Sequence, residues 1–177
     1  MVMYECEVID NFLDNDSFSK VQQFFCNDLI DWHYNTTVVS DTENDSIDNF
    51  QFIHIFYRDG LPSSNHYKEI IPLLSQLKAR VLFSVKSNLN VRTPEIVERE
   101  LHIDDQFLDA NKQSISFKVG IYYLNDNDGY TYFEGGEKVQ SVANRMVIFP
   151  SNVLHAGTTC TDQKTRVVLN FNYLSYE

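Results

Sequence analysis

The sequence predicts a mainly β fold, a sandwich or barrel with flanking helices, and three observations carry that prediction. Phe and Tyr are abundant, at 13 and 10 copies in 177 residues, and aromatic side chains suit pleated, half-buried surfaces. Ile115 to Leu124 alternates. Ile115, Phe117, Val119, Ile121 and Tyr123 face one way and Ser116, Lys118 and Gly120 the other, which is the period of a strand with one buried face. Further short apolar runs follow between turn signals, and many short strands at close spacing build sandwiches and barrels.

Taken in order, Asp14 to Asn27 is expected to be a helix. Phe18, Val21, Phe24 and Phe25 form an i, i+3, i+6, i+7 stripe, and Asp14, Asp16 and Ser17 offer caps. Asp41 to Asn49 is acidic and polar, an exposed loop. Phe50 to Tyr57 is a continuous apolar and aromatic run, a buried strand that Arg58-Asp59-Gly60 ends. Ile70 to Leu82 carries Ile70, Leu73, Leu74 and Leu77 at helical spacing, and Pro72 suits its first turn. After the alternating strand, Asn125-Asp126-Asn127-Asp128-Gly129 marks a turn. Tyr130 to Phe133, Glu137 to Val142 and Arg145 to Phe149 read as strands between turns at Glu134-Gly135-Gly136 and Ala143-Asn144. Arg166 to Leu174 is a last strand with two distinct faces. No internal repeat, low-complexity tract or linker interrupts the chain. It reads as a single domain over 1–177, with 1–84 a helical and strand support layer and 85–177 the core.

Composition narrows the function classes. Hydrophobic residues make up 43% of the chain, enough for a sizeable core. A net charge of −11 repels nucleic acid and anionic membrane surfaces. Cys6, Cys26 and Cys160 are odd in number and form no CxxC, which argues against a disulfide framework or a cysteine zinc site and suits a reducing compartment. The N-terminal Met-Val-Met-Tyr-Glu-Cys-Glu lacks the basic-then-apolar pattern of a signal peptide. No apolar run approaches membrane-spanning length. The expectation is a cytoplasmic protein.

The chemistry gathers in the second half. In an extended His102-Ile103-Asp104, imidazole and carboxylate project from one face. Nitrogen and oxygen ligands together suit a divalent metal of the iron, manganese or zinc kind. His155 follows a strand and the turn-like Pro150-Ser151-Asn152, and is the candidate third ligand. Two histidines and one carboxylate leave three positions of an octahedral metal open, the iron(II) oxygenase arrangement. A keto-acid fills two and O₂ the third. The keto-acid's distal carboxylate needs a cation, and Arg166 stands eleven residues after His155 at the start of the last strand. Its planar fork matches a carboxylate. A lone His-x-Asp is common, and His155 or Arg166 alone would read as structural. The order is what carries weight: His-x-Asp, about fifty residues of short strands, His, then Arg on a strand. Zinc suits the same three ligands but leaves Arg166 and Tyr123 without a role.

This order resembles the 2-oxoglutarate/iron(II) oxygenases, most of all their prolyl-4-hydroxylase-like branch, over roughly Val85 to Tyr173. Gly120-Ile121-Tyr122-Tyr123-Leu124-Asn125 is similar to the strand after the His-x-Asp motif in oxygen-sensing prolyl hydroxylases. Ser141 to Phe149, followed by His155 and Thr158-Thr159-Cys160-Thr161, looks like small oxygenases carried by bacterial viruses. The resemblance implies a double-stranded β-helix, a jelly roll of cupin-like form with helices packed on one sheet. It implies His102, Asp104 and His155 as Fe(II) ligands, and Arg166 and Tyr123 at the distal carboxylate of 2-oxoglutarate. Many relatives place a co-substrate tyrosine about a dozen residues before His-x-Asp. Asn90 stands there, with an amide able to hydrogen-bond, and Lys86-Ser87-Asn88 are candidates for the site lining. A virus-encoded member would work in host cytoplasm, and ascorbate is a candidate reductant.

The implied activity is hydroxylation coupled to decarboxylation of 2-oxoglutarate, with O₂ consumed. A peptidyl residue is the first candidate substrate, proline above others. Loops at Val38 to Asn49 and Asp105 to Ser114 are long enough to edge an open groove, and Asp105, Asp109 and Lys112 read as a solvated loop able to act as a lid. A free amino acid or other small metabolite is the alternative. Further rivals are a non-catalytic metal-binding jelly roll, a zinc or manganese hydrolase or isomerase, and a nucleic-acid demethylase. The last is disfavoured by the acidic charge and by the absence of a second arginine after Arg166. His33, His54 and His66 read as structural.

Overall fold

The computed structural model describes residues 6–26, 30–38, 47–104, 107 and 111–175. In chain order these form β1 (Glu7–Ile9), α1 (Asn15–Cys26), β2 (His33–Asn35), β3 (Gln51–Arg58), the two-residue β4 (Leu61–Pro62), a 3₁₀ turn (Tyr67–Ile70) running into α2 (Ile71–Leu77), and β5 (Ala79–Val91). There follow β6 (Lys118–Tyr123), β7 (Tyr130–Phe133), β8 (Lys138–Gln140), β9 (Arg145–Pro150), β10 (His155–Gly157) and β11 (Thr165–Ser175). The expected strands of the second half are all present, with ends shifted by a few residues.

Eight strands form one sheet in the order β1-β9-β6-β11-β5-β3-β2, with β4 paired to β3. A smaller sheet runs β10-β7-β8. The pairings are antiparallel in both sheets. The segment around Glu98 to His102 lies against the free side of β10, through bridges Glu98–Thr158 and His102–His155. Two layers result. On one face of the large sheet, α1 and α2 cover Phe24, Phe25, Leu73, Phe56, Leu169 and Phe171. Between the sheets lie Val119, Ile121, Tyr123, Phe133, Val147 and Phe149.

The helices begin and end for local reasons. Asp14 caps α1, its Oδ1 accepting from the backbone N–H of Ser17 at 3.0 Å and of Asp16 at 3.1 Å. Those bonds hold its carboxyl below the usual range. Val21, Phe24 and Phe25 are the buried stripe, as expected; Asn27 lies outside the described residues. Pro72 sits in the first turn of α2. The expected helix to Leu82 is corrected at its C-terminal end. Lys78 is left-handed, at φ 52°, and its N–H bonds the carbonyls of Leu74 and Ser75. The chain then enters β5, where Val81 and Leu82 pair with Leu174 and Tyr173 of β11. Pairing across the sheet overrides the helical spacing there. β5 also crosses the boundary at residues 84 and 85, so both stretches of the chain contribute to one sheet.

A second correction concerns β6, expected to bury one face. Both are buried. Val119, Ile121 and Tyr123 point between the sheets. Tyr122 enters the helix-side core and donates to Asn144 Oδ1 at 2.8 Å. The helices cover what would be the solvent face of a lone hairpin. His54 is structural, as expected: its ring nitrogens meet Asp31 O and Ser64 Oγ, each at 2.7 Å. Among the described residues no helix is long and apolar enough to cross a membrane.

Candidate metal centre and adjoining cavity

The pairing of 98–102 with β10 brings the first and third expected ligands face to face. His102 N–H bonds His155 O and His155 N–H bonds His102 O, both at 3.0 Å, and the two rings lie 4.9 Å apart. Asp104 completes the group. Its Oδ1 is 3.9 Å from Nε2 of each histidine, and ligand atoms of all three lie within 4.8 Å of one another. No other cluster of this kind occurs among the described residues.

Both histidines are oriented by the same device. Nδ1 of His102 faces Glu100 O at 3.1 Å, and Nδ1 of His155 faces Val153 O at 3.1 Å. A carbonyl only accepts, so each Nδ1 carries the proton and each Nε2 turns a lone pair toward Asp104. Burial keeps the His155 imidazole below its ordinary pKa, favouring the neutral, ligating form. The Asp104 side chain is only 7% exposed, and its Oδ2 is buried with no hydrogen-bond partner among the described residues. A buried, unpartnered carboxylate oxygen beside two aligned imidazole lone pairs fits a divalent cation.

The cavity opens from His102 and His155 onto β5 and β11. Asn90 faces Arg166, Asn88 faces Val168 and Lys86 faces Asn170 across the ladder, and all six line the cavity with His102 and His155. Arg166 is the largest fully buried side chain, 2% exposed. Its Nε donates to Ser141 Oγ at 2.8 Å and its Nη2 to Thr131 Oγ1 at 3.2 Å. Burial lowers its pKa, yet a guanidinium stays protonated. Both partners are neutral hydroxyls, and among the described residues no carboxylate pairs with the charge. Two glycines make room for it. A Cβ on Gly157 would stand 3.2 Å from Arg166 Nη1, and one on Gly129 would stand 2.8 Å from Arg166 Cδ. A neutral-walled, buried arginine facing a cavity fits an incoming carboxylate.

Tyr123 reaches Arg166 indirectly. Its ring centroid lies 5.6 Å from the guanidinium carbon, and its hydroxyl donates to Thr131 Oγ1 at 2.8 Å. Burial raises its pKa. It stands behind Thr131, which lines the cavity where Tyr123 does not. Asn90 is buried and its Oδ1 has no hydrogen-bond partner among the described residues. Sequence reasoning missed Ser141, Thr131, Arg99 and the two glycines. Gly157 stood only two residues past His155, a spacing that places both on one face of a strand and was the available signal. Arg99 was hidden in Val97-Glu98-Arg99-Glu100, which reads as a solvated charge run. Asp105 and Asp109 of the expected lid lie outside the described residues.

No family model and no curated protein matches the chain. Solved structures do. An oxidoreductase of the 2OG-Fe(II) oxygenase family from Burkholderia pseudomallei superposes with a TM-score of 0.65 at 10% identity, over 97% of this chain and 86% of that one. A Trichoplax adhaerens prolyl hydroxylase, in complex with a hypoxia inducible factor peptide fragment, gives 0.64 at 15% identity, over 96% and 83%. HygX from Streptomyces hygroscopicus, with nickel and 2-oxoglutarate bound, gives 0.60 at 10% identity, over 97% and 83%. The architecture is therefore the double-stranded β-helix that these oxygenases share, a mainly β fold with flanking helices, as the sequence led one to expect.

Proposed function

We propose that this chain is a non-haem iron(II) dioxygenase that couples oxidative decarboxylation of 2-oxoglutarate to hydroxylation of an organic substrate. One observation carries the reading: two oriented histidines, each with Nε2 3.9 Å from the Asp104 carboxylate, open onto the same cavity as a fully buried arginine with neutral partners. His102, Asp104 and His155 hold the metal. Arg166 takes the distal carboxylate of 2-oxoglutarate by charge-assisted hydrogen bonds. Thr131 and Ser141 fix the guanidinium plane, Tyr123 fixes Thr131, and Asn90 lies opposite Arg166, its free Oδ1 an acceptor toward the site. Bound iron with the keto-acid supplies the oxidant. One oxygen atom of O₂ ends in succinate as carbon dioxide leaves, and the other replaces hydrogen on the substrate carbon as hydroxyl. Ascorbate is the candidate reductant for iron oxidised off the cycle.

The fold alone does not choose the substrate. A peptidyl residue, proline first, follows from the likeness to prolyl hydroxylases. A free amino acid or other small metabolite is favoured by the polar lining, since buried amide oxygens of Asn88, Asn90 and Asn170 await hydrogen-bond partners. The test begins without O₂: Fe(II) plus 2-oxoglutarate should give a visible charge-transfer band. Oxygen is then admitted with proline-containing peptides or free amino acids, and succinate and the gain of one oxygen atom are measured. Absence of the band with tight zinc binding would replace this reading by a hydrolase or isomerase. Metal binding with no turnover on any substrate would replace it by a binding module.

A further inference from the structure

Beyond Arg166, the cavity holds cations that co-substrate binding does not use. Arg99 is 8% exposed, so more than nine-tenths buried, and lines the same cavity as His102 and His155. Its backbone is pinned: Arg99 N–H bonds Gly157 O at 3.1 Å, and Tyr132 donates its hydroxyl to Arg99 O. Its guanidinium is poorly satisfied. Nη2 makes one long contact, 3.5 Å to Phe50 O, and Nε has no partner among the described residues. Burial lowers its pKa, with the Asp48 charge opposing. Lys86 lines the same cavity from β5 and makes no ion pair among the described residues.

Charge bookkeeping makes these two groups informative. A divalent metal and a doubly ionised keto-acid cancel. Asp104 and Asp48 then face three cations, Arg99, Arg166 and Lys86, and the cavity keeps a positive surplus in a chain whose net charge is −11. A surplus charge in a buried site is costly unless a ligand brings the opposite charge.

We propose that Arg99, with Lys86, forms an anion subsite that takes a carboxylate of the substrate, so that the substrate is an organic acid. The reading rests on the iron and 2-oxoglutarate assignment made above. The carboxylate comes either from a free amino acid or from the C-terminal end of a peptide, because both present the same planar anion to a guanidinium fork. An internal prolyl residue flanked by neutral residues lacks it.

The experiment uses the full chain loaded with Mn(II) and 2-oxoglutarate under argon, so that binding is read without turnover. Calorimetry compares the free α-amino acids with their carboxamides, and short peptides ending in each residue as acid or as amide. At least one acid should bind about tenfold or more tightly than its amide. Arg99→Gln should remove that preference, Arg99→Lys should keep part of it, and Lys86→Gln should reduce it. The free-acid and peptide arms distinguish the two sources. The iron–2-oxoglutarate charge-transfer band of Arg99→Gln should keep its dependence on 2-oxoglutarate. If no acid outbinds its amide, the subsite does not exist. If Arg99→Gln weakens the band and leaves the acid preference intact, Arg99 belongs to the co-substrate and the proposal is overturned. A parent protein that gives no band but still prefers acids would overturn the dioxygenase reading and leave the subsite standing.

Discussion

The two faces of β11 share one backbone and are buried to a similar depth, yet they are chemically unlike. Val167, Leu169, Phe171 and Tyr173 enter the helix-side core. Arg166, Val168 and Asn170 line the cavity, and Asn172 follows on the same face. The first face is satisfied by packing alone. The second leaves Oδ1 of Asn170 and of Asn172 buried with no partner among the described residues, and places a guanidinium against neutral hydroxyls. A buried unpaired polar group costs about 1–3 kcal/mol. One face therefore stabilises the fold while the other holds buried polar groups at a cost in stability.

The comparison breaks first at the proposed metal ligands. Asp104→Ala should lower Fe(II) affinity by roughly a hundredfold or more and end turnover, with the melting temperature unchanged or raised. Anaerobic iron titration beside a thermal melt reads both, and parent-like iron affinity would remove Asp104 from the ligand set. Next comes the helix side. Leu169→Ala should destabilise the protein by about 2–5 kcal/mol in urea, while the folded fraction keeps its 2-oxoglutarate affinity. A weakened affinity there would mean that the two faces are coupled through the strand.

Smaller effects sharpen the contrast. Arg166→Ala should weaken 2-oxoglutarate binding by at least about tenfold, from a charge-assisted contact of about 1.5–3 kcal/mol. Titration of the charge-transfer band measures it, and an unchanged dependence would rule the role out. Smallest of all, Asn170→Leu replaces an unpartnered amide by a side chain of similar size. It should be neutral or stabilising by about 1 kcal/mol, with slower turnover of the substrate. If it destabilises the chain instead, Asn170 is a structural residue and the polar face is less uniform than described.

How far the site could be read from the chain follows from where its signals are local. His102 and Asp104 are two residues apart, and extended backbone alone puts them on one face. Arg166 belongs to a strand whose alternation is plain, so its side chain's departure from the apolar face of Leu169 and Phe171 was visible. Tyr123 was placed on the inter-sheet face but not behind Thr131. Arg99 was invisible, because its neighbours Glu98 and Glu100 make it look solvated and only the pairing with Gly157 buries it. β5 was not expected: from Ala79 to Leu82 apolar residues continue the spacing of α2, and short apolar runs do not separate helix from strand.

By itself the sequence determined most strands of the second half, the helix stripe of α1, and the types and order of the candidate ligands along the chain. These follow from periods of two and of 3.6 residues and from the chemistry of His, Asp and Arg. Tertiary structure alone decided that His155 meets His102, that Nε2 rather than Nδ1 of each ring faces Asp104, and that Lys86, Asn88, Asn90 and Arg99 converge on the same cavity as Arg166. The reason is sequence separation. Apart from the ring orientations, which rest on carbonyls two residues away, those contacts join residues some fifty to eighty positions apart, and partners across such a distance are set by strand register, which a segment read alone does not reveal.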